Sequence, residues 1–237
     1  MARLTRKELK TDRFAVEVQH SVEYVSEHRR QLVLWGGIGA GVVVLVAGIV
    51  LYRNYEHSVR QEQLTAAMQL LNAPIGPAPN KYVTSFPTEA DRAKAEQAAF
   101  TDIATKYSGT DEGLIAEYYL GAHAADAGKV DEAIKRYQMV VDSGNKAYGS
   151  LAKLSLAQIY ASQGKVADGE KLIQSVIDHP TDLVSKEQAT IALAQLIAPT
   201  DPARARKMLE PLRGFSRSTI SRAALNVLSD MDQNQKK

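Results

Sequence analysis

One segment of the chain carries no charged residue. Residues 32–52 read LVLWGGIGAGVVVLVAGIVLY, whereas Lys, Arg, Asp and Glu make up 24% of the whole chain. An α-helix rises about 1.5 Å per residue, so a helix of this length spans the ~30 Å hydrocarbon core of a membrane. A buried core helix rarely runs this far without a charge, and no small-residue cleavage site of a signal peptide precedes Arg53. The segment from Leu32 to Tyr52 therefore predicts one uncleaved transmembrane helix.

Positive charge is concentrated before this segment. The chain has 29 Lys and Arg residues and 27 Asp and Glu residues, and the whole net charge of +2 arises in residues 1–31. Basic residues favour the cytoplasmic side of a membrane, which predicts a cytoplasmic N-terminus and an extracytoplasmic C-terminal part. The neutral remainder lacks the basic excess with which nucleic-acid-binding proteins neutralise phosphates, so we expect no nucleic-acid partner.

Residues 1–31 predict a cytoplasmic amphipathic segment. Phe14, Val18, Val22 and Val25 recur at helical spacing with glutamates between them. Such a helix is either a docking element or an interfacial helix that orients the span.

The span itself contains a GxxxG motif formed by Gly37 and Gly41. Small residues at this spacing let two membrane helices approach closely, which makes Gly37 and Gly41 a candidate transmembrane contact. Small residues are also common in transmembrane helices without such a contact.

The sequence after the span changes character at a proline-rich stretch. Residues 53–94 predict a helix followed by a connector, because residues 73–87 hold four of the eight prolines of the chain. Residues 95–213 are alanine-rich and helical in period, and residues 214–237 predict a capping helix and a tail. The fold class predicted for the chain is all-α.

The alanine-rich region repeats itself at an offset of 36 residues. Leu120 aligns with Leu156, and residues 128–130 align with residues 164–166, both reading Gly-Lys-Val. A third, looser copy aligns Leu193 with Leu156. In each copy a glycine suits the end of a first helix, after which a second helix packs back along it. One such hairpin cannot bury both of its faces, so the copies predict a stacked solenoid.

These residues resemble the tetratricopeptide repeat. The matching positions are Leu120, Gly121, Gly128, Ala133 and Tyr137 in the first copy and Leu156, Ala157, Tyr160 and Gly164 in the second. The period departs from the family's usual value of about 34 residues, and Gly169 stands where the family usually has Ala. Together with the predicted span, the resemblance implies an N-terminal transmembrane helix followed by a tetratricopeptide-like helical-hairpin solenoid that binds proteins in a concave groove.

By the geometry of that family, five residues are candidates for a peptide groove: Tyr118, Ala122, Leu154, Gln158 and Gln195. Packing between repeats is the alternative role for each of them. Family members that clamp a C-terminal carboxylate use Lys and Asn where this chain has Tyr118 and Ala122, which disfavours that mode of binding.

No chemical motif points to catalysis. The chain has no cysteine, and its five histidines are scattered singly without metal-ligand spacing. We therefore expect no catalytic, cofactor-binding or metal-binding residues, no cofactor and no enzyme activity.

Charge is unevenly distributed along the repeats. Residues 102–126 carry five acidic side chains against one lysine. Residues 204–222 carry five arginines and a lysine against one glutamate. The basic run is either a patch for anionic lipid or an acidic partner, or a set of solvated helix faces.

The whole arrangement resembles the ancillary subunit of the bacterial Sec translocon, a single-span inner-membrane protein with a periplasmic repeat domain. The resemblance rests on the segment EYVSEHR at residues 23–29, the Gly-rich span and the divergent repeats. It implies an adaptor or chaperone-like factor whose partners are translocon subunits, periplasmic chaperones or secreted clients. The alternative is a self-associating scaffold of another cell-envelope complex, which would form a homo-oligomer through the span and the sides of the solenoid.

Overall fold

The computed structural model describes residues 29–78, 80, 82–214 and 219–234. The described residues form nine α-helices and one 3₁₀ helix, Glu210–Gly214, and no β-strand. This confirms the all-α fold class, while the amphipathic helix predicted within residues 1–31 lies almost wholly outside the described residues. The helices are α1 (Arg29–Leu70), α2 (Glu89–Lys106), α3 (Asp111–Asp126), α4 (Val130–Asp142), α5 (Lys146–Ser162), α6 (Val166–Asp178), α7 (Lys186–Ile197), α8 (Pro202–Leu209) and α9 (Thr219–Asn234).

The chain forms two compact units, residues 1–59 and residues 60–237. The first is described from residue 29 and consists of the N-terminal part of α1. Within Val33–Leu70 an 18-residue window reaches a mean hydropathy of 2.4, so this helix is long and apolar enough to cross a membrane. Its large apolar side chains are exposed, Trp35 and Leu45 to 68% each. The helix continues beyond Tyr52, where the predicted span ends.

The second unit begins with the last turns of α1, which pack against α2 and α3. Leu64 and Ala67 of α1 are buried in one cluster with Phe100 and Ile103 of α2 and Leu120 of α3. The end of α1 and α2 therefore share one core with α3 at the N-terminal end of the solenoid. The sequence predicts a half-repeat at residues 95–107, around Phe100 and Ile103, with the helix after the span as its partner.

The connector between α1 and α2 is closed by backbone hydrogen bonds. The N–H of Gly76 donates to the carbonyl of Phe86 over 2.8 Å, and the N–H of Phe86 donates to the carbonyl of Pro74 over 3.1 Å. The hydroxyl of Thr88 then accepts a hydrogen bond from the N–H of Asp91, which satisfies one of the free donors at the start of α2. The described part of this proline-rich stretch is thus ordered.

The helices of the first two complete hairpins, α3–α4 and α5–α6, are joined by equivalent turns. Gly128 and Gly164 have φ values of +71° and +79°, in the left-handed region that favours glycine. In both turns the N–H after the glycine donates over 2.8 Å to a carbonyl five residues earlier. This is the Schellman arrangement that ends a helix, and it explains why the Gly-Lys-Val triplet recurs.

Close contacts between paired helices require two further glycines. A Cβ atom on Gly121 would lie 2.9 Å from the ring of Tyr137, and one on Gly169 would lie 2.7 Å from the carbonyl oxygen of Ala157. The second distance explains the departure from the family pattern at Gly169, since α6 approaches the backbone of α5 too closely for alanine.

The third hairpin, α7–α8, and the final helix α9 share one aliphatic core. Ser185 and Gln188 form a capping box at the start of α7, and Asp201 caps α8. Leu193 and Leu209 are completely buried. The core also contains Ala224, Val227, Leu228 and Met231 of α9. This helix spans Thr219–Asn234, where the sequence predicts one from about residue 218 to residue 231.

Candidate functional site

The first helices of the three complete hairpins lie side by side, since α3 contacts α5 and α5 contacts α7. The five predicted groove residues are distributed along this row. Tyr118, Ala122 and Leu154 are partly buried, whereas Gln158 and Gln195 are exposed. Their shared position on the row is therefore an observation, and their role in peptide binding stays a prediction.

Tyr118 belongs to an aromatic cluster formed by Phe100, Tyr118, Tyr119, Tyr137 and Tyr148. Phe100 and Tyr119 are stacked with ring centroids 4.7 Å apart. Tyr118 meets Tyr119 edge-on at 5.4 Å and Tyr148 edge-on at 5.6 Å. Such offset and edge-on pairs stabilise a packed site beyond their buried area. The cluster thereby joins α2, α3, α4 and α5.

Burial also raises the pKa of two of these tyrosines. It raises the pKa of Tyr119 to about 12, and the neighbouring Tyr148 raises it further. Burial likewise raises the pKa of Tyr137 to about 12, against the opposite effect of a hydrogen bond with Ser155. Both hydroxyls are neutral at pH 7, as an unperturbed tyrosine is, and the raised pKa values keep them neutral to higher pH.

Sequence reasoning misses two members of this cluster, Tyr119 and Tyr148. The offset of 36 residues highlights positions that recur between copies, and neither tyrosine recurs at the corresponding position, where Ser155 and Val184 stand. The consecutive pair Tyr118-Tyr119 is the signal that was available, because neighbouring residues of a helix project about 100° apart and can therefore contact two different helices.

Two buried glutamates link α1 and α2 to α3. The carboxylate of Glu96 lies 3.2 Å from Nε of Arg92 and 3.2 Å from Nε2 of His123. Glu112 pairs with Arg60 over 3.0 Å, and its side chain is only 5% exposed. These contacts are structural pairs, and among the described residues no three His, Cys, Asp or Glu side chains could hold a metal ion.

Three of the six basic residues in the run at residues 204–222 are paired with carboxylates. Arg204 binds Glu170, Arg206 binds Asp232 of α9, and Arg213 binds Glu210 over 2.9 Å. Each arginine with an acidic partner adds little net positive potential, which favours the interpretation as solvated helix faces. Arg217 lies outside the described residues.

An open pocket of about 430 Å³ lies where α7, the loop to α8 and α9 meet. We call it the terminal pocket. It brings one predicted groove residue, Gln195, together with residues that the groove prediction does not include. Its lining residues are Gln195, Ala198, Pro199, Pro202, Val227, Asp230 and Met231.

Comparison with known families decides the class of the chain. A family model described as a tetratricopeptide repeat-like domain matches residues 31–187, more than half of the sequence. The chain belongs to the tetratricopeptide repeat-like domain family. Tetratricopeptide repeat-like domains are typically non-catalytic protein-interaction modules, which agrees with the row of first helices described above.

The match to the tetratricopeptide repeat-like domain extends from α1 into the first residues of α7. The third hairpin and α9 lie beyond it, and this is the region where the sequence repeat becomes loose. No curated protein and no solved structure shows a significant match to the chain.

Proposed function

We propose that this tetratricopeptide repeat-like protein is a membrane-anchored adaptor of the Sec translocon that binds protein segments emerging on the periplasmic side. The observation that carries the proposal is the row of first helices, on which Tyr118, Leu154 and Gln158 lie. In this proposal the apolar helix of residues 32–52 docks beside the channel, and the repeats bind translocon subunits, periplasmic chaperones or secreted clients.

The chemistry of this row suits an internal segment of an unfolded chain. Such a segment presents apolar side chains together with unpaired backbone N–H and C=O groups. Leu154 offers apolar surface, and the amide of Gln158 offers one acceptor and two donors. A terminal carboxylate would instead need a cation, and the positions that supply such a clamp elsewhere in the family hold Tyr118 and Ala122.

Crosslinking of the full-length protein in membranes, followed by affinity purification, tests the adaptor proposal. We expect to recover translocon subunits or secreted clients, and recovery of neither would contradict the proposal. Leu154→Glu should reduce client crosslinks several-fold, because it puts a charge on the row of first helices. Leu154 also packs against the core, so circular dichroism must show that the variant is folded. Met139→Glu is the control for a charge added away from the row, since Met139 is a 44% exposed apolar residue on the second helix α4.

Membrane orientation has its own test. The excess of basic residues before the span supports a cytoplasmic N-terminus. A topology reporter fused after Lys237 should be active only on the periplasmic side of the inner membrane. A cytoplasmic signal would remove the secretion role.

A second candidate function, the self-associating scaffold, is favoured by the glycine face of α1. Gly37 and Gly41 are four residues apart and so lie on one face of α1, where small residues let a second membrane helix approach closely. If the protein is a scaffold, native mass spectrometry in detergent should show an oligomer that Gly37→Ile with Gly41→Ile disrupts. Gly39→Ile on the opposite side of α1 is the control, and a monomeric wild type would contradict this function.

A further inference from the structure

The terminal pocket lies at the end of the row of first helices. Gln195 of α7 is both a residue of that row and a lining residue of the pocket. A polypeptide segment that follows the row toward the last repeat would therefore reach this pocket. The inference below rests on the proposed peptide-binding function and assigns to the pocket the chemistry that it recognises.

The walls of the pocket are mostly apolar. Pro199 and Pro202 contribute from the loop between α7 and α8, and Val227 and Met231 contribute from α9. Val227 and Met231 are each only 6% exposed, so the core holds these walls in place. The volume of about 430 Å³ falls within the range of roughly 300–1,000 Å³ typical of ligand pockets. A preformed apolar pocket favours an apolar side chain because little reorganisation accompanies its entry.

The rim of the pocket carries an exposed carboxylate, that of Asp230. The neighbouring charges are engaged with each other, since Arg206 binds Asp232 and Arg204 binds Glu170. No ion pair joins Asp230 to any residue in the described part of the chain. The carboxylate is thus available to a cation of a partner, and the amide of Gln195 beside it can bond to a peptide backbone.

We propose that the terminal pocket binds a partner polypeptide through an apolar side chain that is followed by Lys or Arg. The apolar side chain lies between the two prolines and α9, and the basic group pairs with Asp230. The pocket thereby selects, among unfolded segments that reach the row of first helices, those that combine an apolar and a basic residue.

Fluorescence anisotropy on the full-length protein in detergent micelles tests this assignment. The probes are labelled 12-residue Gly-Ser peptides that carry Leu-Lys, Leu-Gln or Gln-Lys at their centre. An exposed ion pair contributes about 0.2–1 kcal/mol, so Leu-Lys should bind about 1.4- to 5-fold more tightly than Leu-Gln. Gln-Lys should bind more weakly than Leu-Lys because it leaves the apolar walls uncovered.

Protein variants assign the preference to the pocket. Asp230→Asn should abolish the difference between Leu-Lys and Leu-Gln while leaving the affinity for Leu-Gln unchanged. Asp182→Asn is the matched control, because it removes an exposed carboxylate that does not line the pocket. Ala198→Leu should weaken both leucine peptides by filling the pocket. Circular dichroism checks that each variant is folded. If Ala198→Leu does not fold, Asp230→Asn still tests the assignment, because Asp230 is exposed and its substitution does not disturb the core.

The possible outcomes separate this inference from the proposed function. If no peptide binds the wild type, both are overturned. If the peptides bind and Leu154→Glu weakens them, but Asp230→Asn does not change the Leu-Lys preference, only the pocket inference is overturned. A concentration-dependent dimer that Asp230→Lys disrupts would show that a second copy is the occupant. Tighter peptide binding after deletion of residues 235–237 would show that the chain's own lysines compete for Asp230. Either of these two results overturns the proposal that a partner polypeptide occupies the pocket.

Discussion

The two ends of the repeat region are stabilised by different kinds of contact. At the N-terminal end, where α1, α2 and α3 meet, the buried residues include Glu96 and Glu112, and Phe100 is stacked on Tyr119. At the C-terminal end, from α5 to α9, the core is aliphatic. The arginines of that end bind carboxylates on the surface, as in the pair of Arg204 with Glu170.

This difference matters because aliphatic cores tolerate exchange of one side chain for another of similar volume, whereas stacked rings and buried ion pairs require particular partners. We therefore expect the N-terminal end to be more sensitive to single substitutions and to pH. Phe100→Ala, Glu112→Gln and alkaline pH test that expectation. Gly169→Ala tests an exception, in which a close contact with the backbone makes a site at the C-terminal end the more sensitive one.

Phe100→Ala should lower the free energy of unfolding by about 3–5 kcal/mol. The ring is completely buried between the end of α1 and α3, and its loss leaves a cavity beside Tyr119. Denaturant titration of the full-length protein measures the loss, and hydrogen exchange should show faster opening of residues 60–70 than of α9. Leu225→Ala, at a 43% exposed residue of α9, is the control. Equal losses for the two variants would contradict the comparison.

Gly169→Ala should destabilise the protein by about 1–3 kcal/mol through overpacking. The added methyl group would meet the backbone carbonyl of Ala157, which cannot move without shifting α5. Gly121→Ala should cost less, because the group in its way is the side chain of Tyr137. Thermal unfolding of the two variants gives the order, and a larger loss for Gly121→Ala would show that the aromatic cluster is more rigid than the α5–α6 backbone.

Glu112→Gln should cost about 1–3 kcal/mol, because it removes the carboxylate that pairs with Arg60 in a mostly buried site. The matched substitution at the other end is Glu170→Gln, which removes an exposed pair with Arg204 and should cost about 0–1 kcal/mol. Denaturant titrations of both variants at two salt concentrations check the comparison. Similar losses would show that the depth of the ion pair does not distinguish the two ends.

Alkaline pH should loosen the aromatic cluster. The pKa of Tyr119 is raised to about 12 in the folded protein, against about 10 in an unfolded chain. Its contribution to stability is therefore complete below pH 10 and is lost as the pH rises toward 12, where the unfolded state ionises first. Denaturation midpoints measured across this range should fall less for Tyr119→Phe than for wild type. Tyr82→Phe, at an 84% exposed residue, should follow wild type.

The repeat architecture could be predicted because it depends on positions that recur. The matching Gly128 and Gly164 turns report local backbone geometry, which one alignment of the chain with itself exposes. A run without charges likewise predicts the apolar helix directly. These features belong to single helices and turns.

The contacts between helices that are distant in sequence could not be predicted in this way. Arg60 and Glu112 meet across 52 positions of sequence, and Arg206 meets Asp232 across 26. Neither pair recurs in a second copy, so the offset of the repeats carries no information about it. The terminal pocket depends in the same way on how α9 lies against α7, which follows from the packing of Val227 and Met231.

The burial of Phe100 under the last turns of α1 has a consequence for separating the repeats from the apolar helix by proteolysis. A protease that cut after residue 72 would remove Leu64 and Ala67 and expose Phe100 to water. The repeats could not then be released with their core complete. A cut near residue 59, before the second compact unit begins, would leave that contact in place. The same reasoning sets the start of any water-soluble fragment prepared for binding studies at or before Arg60.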